Sequence, residues 1–289
     1  MRIDHHIHGI RHARCFVLLL FCLLLTACVS SPFYHPDRVS YSTPAEAGLP
    51  FERVSFVSRD GTSLSGWFIP AVGVADSRAA KGTVVHFHGN AQNMTAHWRF
   101  VGWLPAQGYN VFVFDYRGYG LSQGSPEPKG VFDDANAALD YVRTRKDVDP
   151  ERLLVLGQSL GGTNAIAAVG AGNRAGIRAM VIEATFSSYS AIANDKVAGS
   201  GALVDDSYSA DRYIGKLAPI PLLLIHGTQD QIIPYGHSTT LFALAQEPKT
   251  MITVEGGRHI DAFSLRHGNR YQTAVLDFYA AALAAAPAR

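Results

Sequence analysis

Leu153-Leu154-Val155-Leu156-Gly157-Gln158-Ser159-Leu160-Gly161-Gly162 is the stretch that decides the fold of this 289-residue chain. Its first four residues are apolar without interruption, which suits a strand buried on both faces of a sheet. Next comes Gly-x-Ser-x-Gly, followed by a small-residue run at 165–170 that can form a closely packed helix. A serine on so sharp a strand-to-helix turn is held above the sheet, and its flanking glycines permit the tight backbone and the close helix approach. The helix N-terminus beneath it favours negative charge, as a tetrahedral intermediate requires. Ser159 is therefore the candidate nucleophile.

Working outward, apolar runs at 83–86, 111–114, 180–182, 222–225 and 251–254 repeat the pattern of a doubly buried strand. Runs at 54–58 and 64–69 flank Asp60-Gly61, a hairpin signal. Helical patterns alternate with the strands. Phe132, Ala135, Leu139 and Val142 fall at offsets of three and four after Pro128-Lys129-Gly130, and Val275, Leu276, Tyr279 and Leu283 give a closing helix the same kind of face. Strand–helix alternation after an opening hairpin predicts an α/β fold: a mostly parallel central sheet with helices on both faces, in one domain over residues 51–289. Right-handed crossovers gather the strand ends at one carboxyl edge, where ligands bind.

A serine hydroxyl needs a base to take its proton, and the base needs an orienting acid. Seven histidines lie in the domain: His86, His88, His97, His226, His237, His259 and His267. His259 stands in the Gly256-Gly257-Arg258-His259 loop between the last strand and the last helix, a position from which an imidazole can reach the edge that carries Ser159. Asp230 follows the strand at 222–225 directly. The rival acid is Glu183, which ends the strand at 180–182; Asp230 is preferred because Ser, acid and His then run in hydrolase order. The oxyanion donors should be backbone N–H groups, those of Leu160 and of Asn90 in the turn His88-Gly89-Asn90. His86 and His88 share a strand face, but no third ligand stands at useful spacing, so neither a metal nor a cofactor is expected.

Five motifs in order, Phe87-His88-Gly89-Asn90-Ala91, the Asp115-Tyr116-Arg117-Gly118-Tyr119-Gly120-Leu121-Ser122 stretch, 157–162, 226–230 and 257–259, resemble one lineage of the α/β-hydrolases. It contains serine aminopeptidase-like, monoacylglycerol lipase-like and depalmitoylating hydrolases. The resemblance covers about residues 50–285. It implies a triad of Ser159, Asp230 and His259, with Asn90 and Leu160 as the oxyanion site. Residues 115–122 are expected to be a structural turn near the pocket rim. In this family an insertion between the strands at 180–182 and 222–225 caps the pocket; here it is short, about residues 184–220, and rich enough in Gly and Ala to suggest a mobile flap.

The first residues belong to targeting. Arg2, Arg11 and Arg14 precede an apolar run at 15–25, which is too short to span a bilayer but suits a signal-peptide core. Leu25-Thr26-Ala27-Cys28 resembles the lipobox of bacterial lipoproteins, which implies cleavage after residue 27 and a diacylglycerol thioether on Cys28. The expected product is exported and lipid-anchored to the cell envelope. In lipoproteins of this kind an aspartate after the cysteine marks inner-membrane retention; Val29 stands there, so the outer membrane is favoured if the source has two. Cys15 and Cys22 would leave with the signal, so Cys28 alone remains and no disulfide forms within one molecule. Residues 28–50, with Ser31-Pro32, His35-Pro36 and Thr43-Pro44 and no apolar period, read as a tether or irregular arm.

Hydrophobic residues make up 47% of the chain and the net charge is +1, falling to −1 once residues 1–27, with three Arg and one Asp, are removed. That balance argues against nucleic acid, which would require a basic surface. The expected partner is a small or lipid-like acyl ester. The leading reading is a serine hydrolase of esters or thioesters. A peptidase on the same triad is the nearest rival, although no acidic cluster for an α-amino group stands out. A non-catalytic envelope binding module is the alternative from another class. A dehalogenase is disfavoured because Ser159 stands where that chemistry needs a carboxylate.

Overall fold

The computed structural model describes residues 33–286. Eight strands form one sheet: β2 (Glu52–Val57), β3 (Ser63–Ile69), β4 (Thr83–Phe87), β6 (Asn110–Phe114), β7 (Leu153–Gln158), β8 (Ile177–Glu183), β9 (Leu222–Gly227) and β10 (Lys249–Val254). Their order across the sheet is β10-β9-β8-β7-β4-β6-β3-β2. Every pair from β6 to β10 is parallel, while β2 and β3 form the antiparallel hairpin expected around Asp60-Gly61. A separate two-stranded piece pairs β1 (His35–Pro36) with β5 (Ala91–Gln92). The helices are α1 (Met94–His97), α2 (Pro128–Thr144), α3 (Leu160–Gly170), α4 (Tyr189–Lys196), α5 (Gly236–Leu244) and α6 (Arg270–Ala284).

The uninterrupted apolar runs are explained by two separate cores. Val85, Phe112, Phe114, Leu153, Val155, Leu222 and Leu224 face one core, which is completed by Val131, Ala135, Leu139 and Val142 of α2 and by Ala165, Ile166 and Val169 of α3. Their alternate neighbours Val84, Val111, Val113, Leu154, Leu156, Leu223 and Ile225 face the other, closed by Tyr271, Val275 and Tyr279 of α6. Side chains alternate across a strand, so a sheet covered by helices on both faces needs an apolar residue at every position. This is the α/β architecture the sequence predicts.

From residue 33 onward the arm before residue 51 lies docked on the domain. Tyr34 and Ser42 are buried. Ser42 Oγ accepts from Trp98 Nε1 at 2.9 Å and donates to the Thr95 carbonyl at 3.0 Å. Asn93 Nδ2 donates to Asp37 Oδ1 at 2.7 Å and to the Val39 carbonyl at 2.8 Å. The arm is held by backbone and polar bonds together with the scattered apolar contacts of Phe33, Tyr34 and Leu49, so no periodicity marks it. The predicted signal segment 1–27 and Cys28 lie outside the described residues. None of the described helices is long and apolar enough to cross a membrane.

The hairpin, the turn after β6 and α2 are joined by one buried charge cluster. Arg117 Nε and Nη2 donate to the two oxygens of Asp134 at 3.0 and 2.8 Å, the Arg117 N–H donates to Asp134 Oδ2 at 2.8 Å, and Nη1 reaches Asp60 Oδ2 at 2.8 Å. Residues 115–122 thus act structurally: Ser122 Oγ donates to the Asp115 carbonyl at 2.7 Å, and Asp115 Oδ1 accepts from the Met94 N–H at 2.6 Å. Asp134 is fully buried. Removing one member of such a pair strands the other charge, so Asp134→Ala should cost about 3 kcal/mol, measurable by urea unfolding. A loss below about 1 kcal/mol would mean that Arg117 finds water instead.

Candidate active site

Between Gln158, the last residue of β7, and Leu160, the first of α3, a single residue makes the turn. Ser159 sits at φ 54° and ψ −128°, a left-handed backbone that costs a non-glycine residue on the order of 1–3 kcal/mol. Its N–H donates to the Glu183 carbonyl at 3.0 Å, and its carbonyl accepts from Thr185 Oγ1 at 2.6 Å and from the Gly162 N–H at 3.0 Å. The glycines are needed for space. A Cβ at Gly157 would lie 2.8 Å from Gly162 Cα, and one at Gly161 would strike the Phe87 carbonyl at the end of β4.

The three residues singled out from sequence meet here. His259 Nδ1–H donates to Asp230 Oδ2 at 2.7 Å, and His259 Nε2 lies 3.0 Å from Ser159 Oγ, placed to accept its proton. The β9 turn and the β10 loop are tied together so that this meeting holds. Gln229 N–H donates to the Gly257 carbonyl at 2.8 Å, Thr228 N–H to the Val254 carbonyl at 3.0 Å, and Gly256 N–H to Thr228 Oγ1 at 2.9 Å. Asp230 and His259 thus travel on two cross-linked loops of adjacent strands.

Asp230 is built to stay ionised. Burial alone would raise its carboxyl, but bonds from His226 and His259, the His259 charge and the Ile233 N–H outweigh that and hold it well below the ordinary carboxylate range. Oδ1 accepts from the Ile232 and Ile233 N–H groups at 2.8 and 2.9 Å. Behind it, His226 Nε2 donates to the Ile233 carbonyl at 2.9 Å and lies 3.2 Å from Asp230 Oδ2, while Nδ1 accepts from Ser238 Oγ at 2.6 Å. In the sequence His226 is one of seven histidines, with no role of its own. Its one signal is the four-residue spacing to Asp230.

Glu183 serves elsewhere. Its Oε2 accepts from Gln158 Nε2 at 2.6 Å and its Oε1 from the Ala262 N–H at 3.0 Å, so it lies under the turn and not against the imidazole. Complete burial pushes its carboxyl up to about 7, against the lowering effect of those two bonds. Three of the remaining histidines are also occupied: His86 with Gln158, His97 with the Ala91 carbonyl, and His237 with Ser187 and Asp195 of the segment between β8 and β9.

Asn90 and Leu160 both border the pocket that Ser159 faces. Among the turn and loop hydrogen bonds of the described residues, neither of their N–H groups has a carbonyl partner. His88 Nδ1–H donates at 2.7 Å to the Gly89 carbonyl, which belongs to the same peptide unit as the Asn90 N–H. The pocket has a volume of about 630 Å³, and Phe33, Phe186, Ile192, Leu203, Val204 and Ile233 supply much of its wall. The insertion that covers it carries α4 and three short 3₁₀ turns. Leu203, Val197 and Ile232 at its edge are 76%, 64% and 53% exposed, an apolar rim open to solvent.

The Glu183 carboxyl has a consequence for pH. Its unfolded value is the ordinary 4.5, and the folded value is about 7. Between these the folded chain keeps a proton that the unfolded chain releases, so the stability it confers is full at the acid end and is lost as pH rises through about 7. Glu183→Gln mimics the protonated form. Its melting temperature relative to wild type should climb from about pH 5 to about pH 7 and then level off. Parallel curves for the two proteins would show that Glu183 does not titrate in that window.

The family model described as Serine aminopeptidase, S33, matches residues 78–200, which include Ser159 and precede Asp230 and His259. The uncharacterized protein YfhR of Salmonella typhi is 50% identical over 281 residues, covering 93% of this chain and 94% of that protein. The α/β hydrolase domain-containing protein WAV2 of Arabidopsis thaliana is 33% identical over 258 residues, covering 82% of this chain and 80% of that one. Among solved structures, the esterase Pf2001 of Pyrococcus furiosus superposes with a TM-score of 0.70 at 20% identity, over 86% of this chain and 97% of its own, a likeness of fold. Matches of this length, on a sheet whose β7 ends in the Ser159 turn, show that the chain belongs to the α/β-hydrolase superfamily.

Proposed function

We propose that this chain is a serine hydrolase that cleaves carboxylic esters or thioesters through an acyl-enzyme. The observation that carries this reading is the relay itself, Ser159 Oγ to His259 Nε2 at 3.0 Å and His259 Nδ1 to Asp230 Oδ2 at 2.7 Å. As the Ser159 oxygen attacks the carbonyl carbon, its proton passes to His259 Nε2, and the ionised Asp230 stabilises the imidazolium. The carbonyl oxygen becomes an oxyanion, bound by the N–H groups of Asn90 and Leu160 at the start of α3. His259 returns the proton to the leaving alcohol or thiol. A water molecule, deprotonated by the same imidazole, then attacks the acyl-serine; the C–Oγ bond breaks, the acid is freed, and His259 returns the proton to the Ser159 oxygen.

The wall of the pocket supports an apolar acyl group. It also weighs against an aminopeptidase: Lys196 is the one charged lysine, arginine, aspartate or glutamate among the described lining residues, so no carboxylate awaits an α-amino group. An exported, lipid-anchored enzyme, tethered through Cys28 to a bacterial membrane, is the location we propose. The lipobox at 25–28 supports it, and Val29 favours the outer membrane where there are two.

A fluorophosphonate probe should label the wild type and not Ser159→Ala. Asp230→Asn, which withdraws the tautomer-holding acid, should lower kcat by about 10⁴-fold with the fold intact. Equal labelling of the Ser159→Ala chain would remove Ser159 as nucleophile, and an unlabelled wild type would favour a binding module. A panel of esters, thioesters and aminoacyl amides should show turnover of the first two. Metabolic labelling with a fatty-acid analogue should disappear in Cys28→Ala; label that persists would refute the anchor.

A further inference from the structure

The peptide units on both sides of Asn90 are held from behind. The Gly89 carbonyl accepts from His88, as described above. The Asn90 carbonyl accepts two further bonds, from the Tyr119 hydroxyl at 2.7 Å and from the His35 N–H at 2.8 Å. Tyr119 stands in the turn after β6 and is fully buried; His35 belongs to β1 in the docked arm. These two suppliers are themselves joined, because the Gly120 N–H donates to the Asp37 carbonyl at 2.9 Å. Arm, 119–120 turn and 90–92 turn therefore close a ring of hydrogen bonds around Asn90, which lines the pocket beside Ser159.

We propose that Tyr119, together with the His35 N–H, positions the oxyanion donor of Asn90, which makes the arm a working part of the site. The proposal rests on the hydrolase reading given above. Two rigid peptide planes share one Cα at Asn90, so fixing both planes fixes φ and ψ there and aims the N–H. An oxyanion donor is effective only when held at hydrogen-bond distance from the place where charge develops, with no rearrangement at the moment of reaction. Tyr119 is well suited to hold it. Burial raises its hydroxyl well above the ordinary range, so the group remains a donor at any working pH. Neither Tyr119 nor His35 touches the reacting atoms, and both act through the Asn90 backbone.

The experiment compares Tyr119→Phe with wild type, which differ by one oxygen, and His35→Pro with His35→Ala, since both lack the imidazole that lines the pocket and only the first also lacks the N–H. A matched pair of substrates separates positioning from general damage: an ester, and its thionoester with sulfur as the carbonyl atom. Sulfur accepts hydrogen bonds poorly, so the thionoester gains little from a well-aimed donor. Tyr119→Phe against wild type, and His35→Pro against His35→Ala, should each lower kcat for the ester by about tenfold, short of the hundredfold or more that follows outright loss of a donor. In each pair KM should stay within about twofold and the melting temperature within about 4 °C. Thionoester turnover should change little, so the ester-to-thionoester ratio falls. Unchanged ester kcat in both variants overturns the proposal, and so does a parallel loss on both substrates, which marks a purely structural bond. If fluorophosphonate leaves the wild type unlabelled, the hydrolase reading itself fails and takes the positioning role with it. A labelled wild type with an unaltered ratio refutes the positioning role alone.

Discussion

At φ 54° and ψ −128° the Ser159 backbone would relax into ordinary strand or helix geometry if its surroundings allowed it. They do not, because three chains of contact converge on that one residue. Glu183 and Thr185 at the end of β8 hold its N–H and carbonyl, and the following helix is pressed so close to β4 and β7 that Gly157, Gly161 and Gly162 leave no room for side chains. Strain at the turn is therefore sustained by the packing of a whole sheet against one helix. The same close packing brings the start of α3 under the reactive oxygen, where its first N–H groups and its dipole are of use.

Two buried carboxylates at the same sheet edge end in opposite states. Asp230 has four donors around it, from two imidazoles and two backbone N–H groups, and stays charged. Glu183 has two neutral donors and full burial, and its affinity for a proton rises accordingly. One carboxylate can therefore balance a positive imidazole, while the other braces the turn from below. The assignment follows from the number and charge of donors rather than from the identity of the acid.

Much of this was legible in the sequence, for reasons that can be named. The apolar runs at 83–86, 111–114, 153–156 and 222–225 all became central strands, since a doubly covered sheet forces every position to be apolar. Chain order prefers Asp230 to Glu183, and the geometry brings Asp230 to His259. The site's supports were not legible. Tyr119 and His35 act through a hydroxyl and an N–H on a backbone carbonyl, contacts that leave no pattern in side-chain types. Helix α4 was hidden because it buries only Tyr189 and Ile192, too few for a visible stripe; Ser188, which caps it, was the available clue. The arm read as a tether because its hold on the domain combines polar bonds with a few scattered apolar contacts, such as Phe33 and Tyr34 on the core, that make no periodic pattern.

The strand order also has a bearing on when the molecule becomes reactive. Ser159 stands on β7, but its partners arrive on β9 and β10, which add to the sheet outward from β8 toward one edge. A growing chain thus carries its serine for a long interval with no base within reach. Such a hydroxyl is an ordinary alcohol, inert toward the esters around it. Only when the last strand has docked and its loop has been tied to the β9 turn does a proton acceptor stand beside the oxygen. Under the hydrolase reading proposed above, the topology therefore makes the relay a late product of assembly, complete only once the loop after β10 has docked beside the Ser159 turn.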